Sequence, residues 1–185
     1  GENIPFVSDI EAMTPSPTNA PVLEYVVTLS AEVNGADPTD FEVVTSGPID
    51  GVSVLSVERM GRQLIVQIHT GQGSGTIGLA VVDDDTIVNT LGHPLGDIGI
   101  GNGAFPASGF VLVDRLPPEA PSIALESGPI QREEAVFTVT PHGDPGGDYA
   151  SGVAGTHVTV GLSGGMADLL DVEIFGEQGF AVELS

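Results

Sequence analysis

Apolar and polar residues alternate with period two in a succession of short segments, and that succession is completed once and then begun again. The first series reads VLEYVVTLS, DFEVVT, VSVLSVE, QLIVQIHT and TIGLAVV; the second reads AVFTVT, THVTVGL, LLDVEIF and FAVELS. Alternation of this kind places one apolar stripe on a single face of a strand. An amphipathic helix would need apolar residues recurring every three to four positions instead. Gly, Pro, Asp and Asn, the residues of tight turns, separate the segments. Restarting after roughly 100 residues, the pattern predicts an all-β chain of tandem antiparallel β-sandwiches, the second incomplete.

The boundaries follow from where the alternation stops. Residues 1–114 form the expected first sandwich, residues 115–121 (RLPPEAP) a stiff proline-rich linker, and residues 122–185 the second sandwich. IPFVSDI reads as an edge strand, where Pro5 does little harm. Val22–Ser30 should turn Leu23, Tyr25, Val27 and Leu29 inward. Gln63–Thr70 should do the same with Leu64, Val66 and Ile68, and Thr76–Val82 with Ile77, Leu79 and Val81. Asp40–Thr45 and Val52–Glu58 are further strands, and Gly109–Asp114 closes the first unit. In the second unit FAVELS takes the place that LIVQIHT holds in the first, and no further strand follows it. Its sheet is expected to lack strands that were cut away or that another molecule supplies, and such an open edge invites strand addition.

Charge excludes several partners. Against 26 acidic residues stand four arginines (Arg59, Arg62, Arg115, Arg132) and no lysine, a net charge of −22. Such a chain cannot neutralise a run of phosphates, which argues against nucleic acid and against anionic membrane surfaces. No segment approaches the length of about 18 apolar residues that spans a membrane. With no cysteine and no lysine, neither disulfide nor isopeptide staples are available. Stability must come from the core, from ions or from neighbours. The start at Gly1, without a signal segment, reads as a processed or excised chain.

The succession SPTNA, VTLSAEV, TDFEV, VSV, GSGTIGL and above all LAVVDDDTIVNTLGHPLGDIGIGNGAF resembles the bacterial immunoglobulin-like repeats of large secreted or cell-surface proteins. The resemblance covers residues 4–121 and is looser over 122–185. His93 stands where the family usually has Asn, and Leu29–Gly35 departs from the family's usual reading. What the resemblance implies is a repeated extracellular sandwich used as a spacer or adhesive arm, with no catalytic residues.

One stretch of residues has the chemistry of a metal site. Asp83, Asp84, Asp85, Asn89, Asp97 and Asn102 fall in a single acidic, glycine-rich loop, and calcium takes six to eight oxygens of this kind. Asp83 and Asp85 would face one way in a strand and Asp84 the other, so one ion needs a bend there. The competing reading is an acidic turn capped by side-chain hydrogen bonds to its own backbone. Asp114, beside Glu119 at the linker, is a second candidate ligand, and Asp144 with Asp148 a third place.

Catalysis finds little support. His69, His93, His142 and His157 are scattered, GLSGG is not a nucleophile elbow, and GIGNG at 99–103 lacks the later glycine and the helix of a nucleotide fingerprint. The expected function is therefore a non-enzymatic spacer or adhesive segment, calcium-stiffened, whose partners are neighbouring repeats, copies of itself, or a cell-surface or glycan ligand. Two alternatives are a filament subunit completed by strand exchange and an accessory glycan-binding module, the latter weakened by the lack of Trp. Adaptation to high salt would explain the charge without any ion site.

Overall fold

The computed structural model describes residues 3–125, 135–140, 155–160, 170–175 and 180–184. Apart from one 3₁₀ turn at Pro38–Asp40, its regular elements are strands. In the first unit they are β1 (Val7–Ala12), β2 (Val22–Leu29), β3 (Val33–Asn34), β4 (Phe41–Ser46), β5 (Ile49–Asp50) and β6 (Ser53–Met60). There follow β7 (Gln63–His69), β8 (Gln72–Gly73), β9 (Gly75–Val81), β10 (Val88–Asn89) and β11 (Phe105–Val113). The second unit holds β12 (Ser122–Leu125), β13 (Ala135–Thr140), β14 (Gly155–Val160), β15 (Leu170–Phe175) and β16 (Phe180–Leu184).

Two antiparallel sheets make the first unit a sandwich. One is four-stranded in the order β1-β2-β7-β6, the other three-stranded in the order β11-β9-β4. Alternation decides which side chains meet between them. Leu23, Tyr25 and Val27 of β2, Val66 and Ile68 of β7, and Ile77 and Leu79 of β9 have no exposed surface. Burying each aliphatic side chain of this size contributes about 1.5–3 kcal/mol, so these three strands carry most of the core. Strand β9 is covered on its outer face as well, because the Phe110 ring lies across Gly78 and leaves no room there for a Cβ.

The chain enters this unit at one end and leaves at the other. Near the entry, the Pro5 and Asn3 carbonyls accept hydrogen bonds from Gly96 N–H and the Asn89 amide. At the exit, Arg115 donates to the Gly73 and Ala20 carbonyls and to the Thr70 hydroxyl, while Ser74 accepts from its N–H. Strand β1 bonds to β2, but after the proline-rich turn Thr18 crosses over and pairs in parallel with Val113 of the other sheet. The first and last segments of the unit therefore run side by side in the same direction.

Three features differ from the sequence expectation. The acidic, glycine-rich loop expected after Thr76–Val82 contains β10, which pairs with β3, and the closing strand expected from Gly109 already begins at Phe105 as β11. Register breaks between Phe105, Ser108 and Val111 interrupt the alternation there, which hides the strand from a period-two reading. The glycine-containing segments that separate expected strands at 46–51 (SGPIDG) and 71–75 (GQGSG) are not plain turns either: β5 and β8 within them pair with each other.

The chain divides into two compact units, Gly1–Arg115 and Leu116–Ser185. In the second, β13 lies between β12 and β16, and β14 pairs with β15. Strand β16 thus borders β13 as β7 borders β2. Here β14 and β15 form a separate pair, whereas in the first unit β6 joins β7.

Candidate functional site

The acidic stretch after β9 is a compact hydrogen-bonded fold of its own. Strand β9 ends at Val81, and Asp85 then adopts a φ of 68°, so the three successive aspartates fan out. The Asp83 carboxylate is buried and accepts from Gly103 N–H at 2.8 Å and Asp85 N–H at 3.3 Å. The Asp85 carboxylate reaches across the loop and accepts from Gly99 N–H with both oxygens, at 3.0 and 3.1 Å. Asp84 turns the other way, accepting from the N–H and hydroxyl of Thr86. Those two bonds, the hydroxyl's first, hold the Asp84 carboxyl below its usual pKa.

The remaining loop candidates are placed apart from these. Asn89 is buried and tied to the backbone: its side-chain carbonyl accepts from Leu91 and His93 N–H, and its amide donates to the Asn3 carbonyl. Asp97, at φ 81°, accepts from Ile98 N–H at 2.8 Å. Asn102 is exposed, and its N–H donates to the Gly99 carbonyl. Asp114 lies beyond β11 at the far end of the sandwich, buried, with the Ser74 hydroxyl at 3.5 Å. Among the described residues, no three His, Cys, Asp or Glu side chains are grouped as a metal site requires. The geometry of Asp83, Asp84 and Asp85 is that of side chains capping loop N–H groups, the arrangement of an Asx turn. Asp144 and Asp148 lie outside the described residues.

A cluster that the sequence reading passed over sits beside this loop. Asp37 caps the 3₁₀ turn by accepting from Thr39 N–H, and Asp40 accepts from Asp37 N–H at 2.7 Å. The pattern Asp37-Pro38-Thr39-Asp40 is a capping-box signature with proline in the first turn, so the signal was there to read. Asp40 is only 1% exposed, yet its carboxylate also lies 2.7 Å from the Thr86 hydroxyl that donates to Asp84. A hydroxyl has one hydrogen. It can serve one of the two carboxylates, and the second contact is complete when Asp40 itself carries a proton and donates it. Burial, then the negative charges of Asp37 and Asp84, push the Asp40 carboxyl up; its bonds from Asp37 and Thr86 act in the opposite sense. In Asp37, by contrast, the bonds from Thr39 hold the carboxyl low.

Compared with known proteins, the chain matches no family model, no curated protein and no solved structure. What the site can do must be argued from its geometry. Its acids are spent on fixing backbone, and the loop they fix presents Leu91, Ile98 and Ile100 largely exposed at the entry end. Of the histidines, His69 accepts from Gly71 N–H in a turn at the exit end, far along the strands from this loop.

Proposed function

We propose that this chain is a non-enzymatic, load-bearing spacer segment of an extracellular or cell-surface protein, built of immunoglobulin-like modules in series. One observation carries the reading: the first and last segments of the first unit run side by side, and their hydrogen bonds lie across the line of pull. Thr18 N–H donates to Leu112 at 2.9 Å and Asp114 N–H donates to Thr18 at 2.8 Å. The Ser16 hydroxyl accepts from Leu112 N–H at 3.0 Å. Tension between Asn3 and Arg115 loads these bonds together, in shear, whereas a peeling geometry would break them one by one. Adhesion fits the same reading through exposed loops at the entry end.

Single-molecule stretching of the full chain tests this. A spacer under shear gives a discrete rupture for the first unit, and Thr18→Pro, which deletes one donor, lowers its force. A chain that lengthens smoothly, or whose rupture ignores Thr18→Pro, overturns the reading. Calcium is an addition to this proposal and not its basis. Thermal unfolding at fixed ionic strength decides it: an upshift with millimolar calcium relative to chelator adds the ion by mass action. An upshift with molar monovalent salt alone assigns the charge to salt adaptation.

A further inference from the structure

We propose that Asn34-Gly35 is a site of spontaneous covalent modification: Asn34 closes to a cyclic imide with the next peptide nitrogen, reopens as aspartate or isoaspartate, and as isoaspartate releases β10 from β3. The inference is independent of the spacer reading. Asparagine reacts in this way most readily before glycine, because no Cβ shields the following nitrogen from the side-chain carbonyl carbon. The chain has two such steps, Asn34-Gly35 and Asn102-Gly103, and both asparagines are exposed. Their glycine nitrogens are held differently. Gly103 is buried, its N–H donates to the Asp83 carboxylate at 2.8 Å, and a Cβ on it would overlap the Leu95 carbonyl. Attack from that nitrogen requires the bond to Asp83 to break first.

At the other step the nitrogen is free. Asn34 ends β3 and lies opposite Val88 of β10. Asn89 N–H donates to the His93 carbonyl, so it is Asn34 and Val88 that exchange bonds across the ladder. By the alternation of that ladder Gly35 N–H points away from β10, and it has no acceptor among the described residues. The step needs no oxidant. Gly35 nitrogen gives its proton to water or hydroxide and bonds to Asn34 Cγ, the Cγ–Nδ2 bond breaks, and ammonia leaves with a proton. Water then opens the ring at either carbonyl, and both products carry a new carboxylate. Isoaspartate also lengthens the main chain by a carbon, within a strand that has only Val33 and Asn34 to pair with β10. That pairing loses its register.

The full chain, aged at mildly alkaline pH and mapped by peptide mass spectrometry beside a sample aged in urea, tests this. Gly35 is left in place, since its φ is 89° and a Cβ there would overlap the Thr86 carbonyl. In the folded chain Asn34 should convert at least about tenfold faster than Asn102, because reaction at Asn102 waits for a local opening. In urea the two should convert at similar rates. Asp83→Ala, which frees Gly103 N–H, should speed Asn102 and leave Asn34 unchanged. The isoaspartate form, isolated by chromatography, should exchange its Val88 amide faster than the parent, whereas Asn34→Asp should not. The proposal is overturned if Asn102 converts as fast as Asn34 in the folded chain, or if Asn34 converts in urea alone. Asp83→Ala with Asn102 still protected would overturn the assigned role of the Asp83 bond. Unchanged Val88 exchange in the isoaspartate form would overturn the release of β10.

Discussion

The hydroxyl of Tyr25, on β2, donates a 2.8 Å hydrogen bond to the carbonyl of Ile77, on β9 of the opposite sheet. The tyrosine has no exposed surface, and burial pushes its ionisation well above the usual value, so it remains a neutral donor. The bond joins the two sheets through their centre. Tyr25→Phe keeps the ring and removes the donor, leaving a buried carbonyl with one partner fewer. We expect a loss of about 1–2 kcal/mol in urea unfolding with an unchanged slope. A loss below about 0.3 kcal/mol would show that the bond adds nothing net.

The inward stripe on which this bond depends could be read directly: Leu23, Tyr25, Val27, Leu64, Val66, Ile68, Ile77 and Leu79 are buried as the alternation requires. Period two is a strong signal because one face of each sheet must exclude water. What could not be read is anything set by backbone contacts between distant loops. Strand β10 is two residues long and exists because β3 lies opposite it. The start of β11 is hidden by its register breaks and by Gly109 at φ 64°. Likewise, a run of three aspartates identifies oxygen donors but not their directions. The left-handed backbone at Asp85 settles those directions, and it depends on Gly99 being within reach of its carboxylate. The Asp37–Asp40 cap was legible, but its meeting with Thr86 is tertiary.

Asp83 holds the loop closed from inside. Asp83→Ala removes a buried acceptor for Gly103 and Asp85 N–H, and should cost about 1.5–3 kcal/mol. Amide exchange should accelerate first at Gly101 and Gly103, because Gly101 N–H donates to the Asp83 carbonyl in the same turn. Asp97→Asn is the contrast: the site is exposed, and Asn tolerates a positive φ, so the change should stay within about 0.5 kcal/mol. Equal effects of the two substitutions would mean that Asp83 does not organise the loop.

Two glycines separate conformational cost from steric cost. Gly71 and Gly92 both have positive φ, 63° and 84°. A Cβ on Gly71 would overlap the Asp50 carbonyl, where β5 meets β8, while one on Gly92 meets nothing within 4 Å. Gly92→Ala should therefore cost only the backbone preference, about 1–2 kcal/mol. Gly71→Ala should cost clearly more, since the β5–β8 pair must also move apart. Chemical denaturation of both variants checks the ordering, and a Gly92→Ala loss equal to or larger than that of Gly71→Ala would refute it.

Asp40 should make the protein's stability depend on pH in the direction opposite to most carboxylates. Its pKa in the fold is raised above the ordinary 3.8, mainly by burial and next by the charges of Asp37 and Asp84. The folded state therefore holds a proton that the unfolded chain gives up at lower pH. That contribution is fully present below the unfolded pKa and is lost as pH rises through the folded one. Asp37 and Asp84 have lowered values, so their contributions are present above the ordinary pKa and are lost as pH falls through the folded ones. Asp40→Asn isolates the first effect. An asparagine accepts from Asp37 N–H and donates to the Thr86 hydroxyl, which in turn donates to Asp84, so it reproduces the protonated acid at every pH. Relative to the parent, the variant should gain stability as pH rises from the ordinary 3.8 through the raised folded pKa of Asp40, should hold that gain above it, and should match or exceed the parent at neutral pH. Urea unfolding across that range reads the difference directly. A variant that loses ground toward neutral pH would show that Asp40 is ionised in the fold and that its charge is needed.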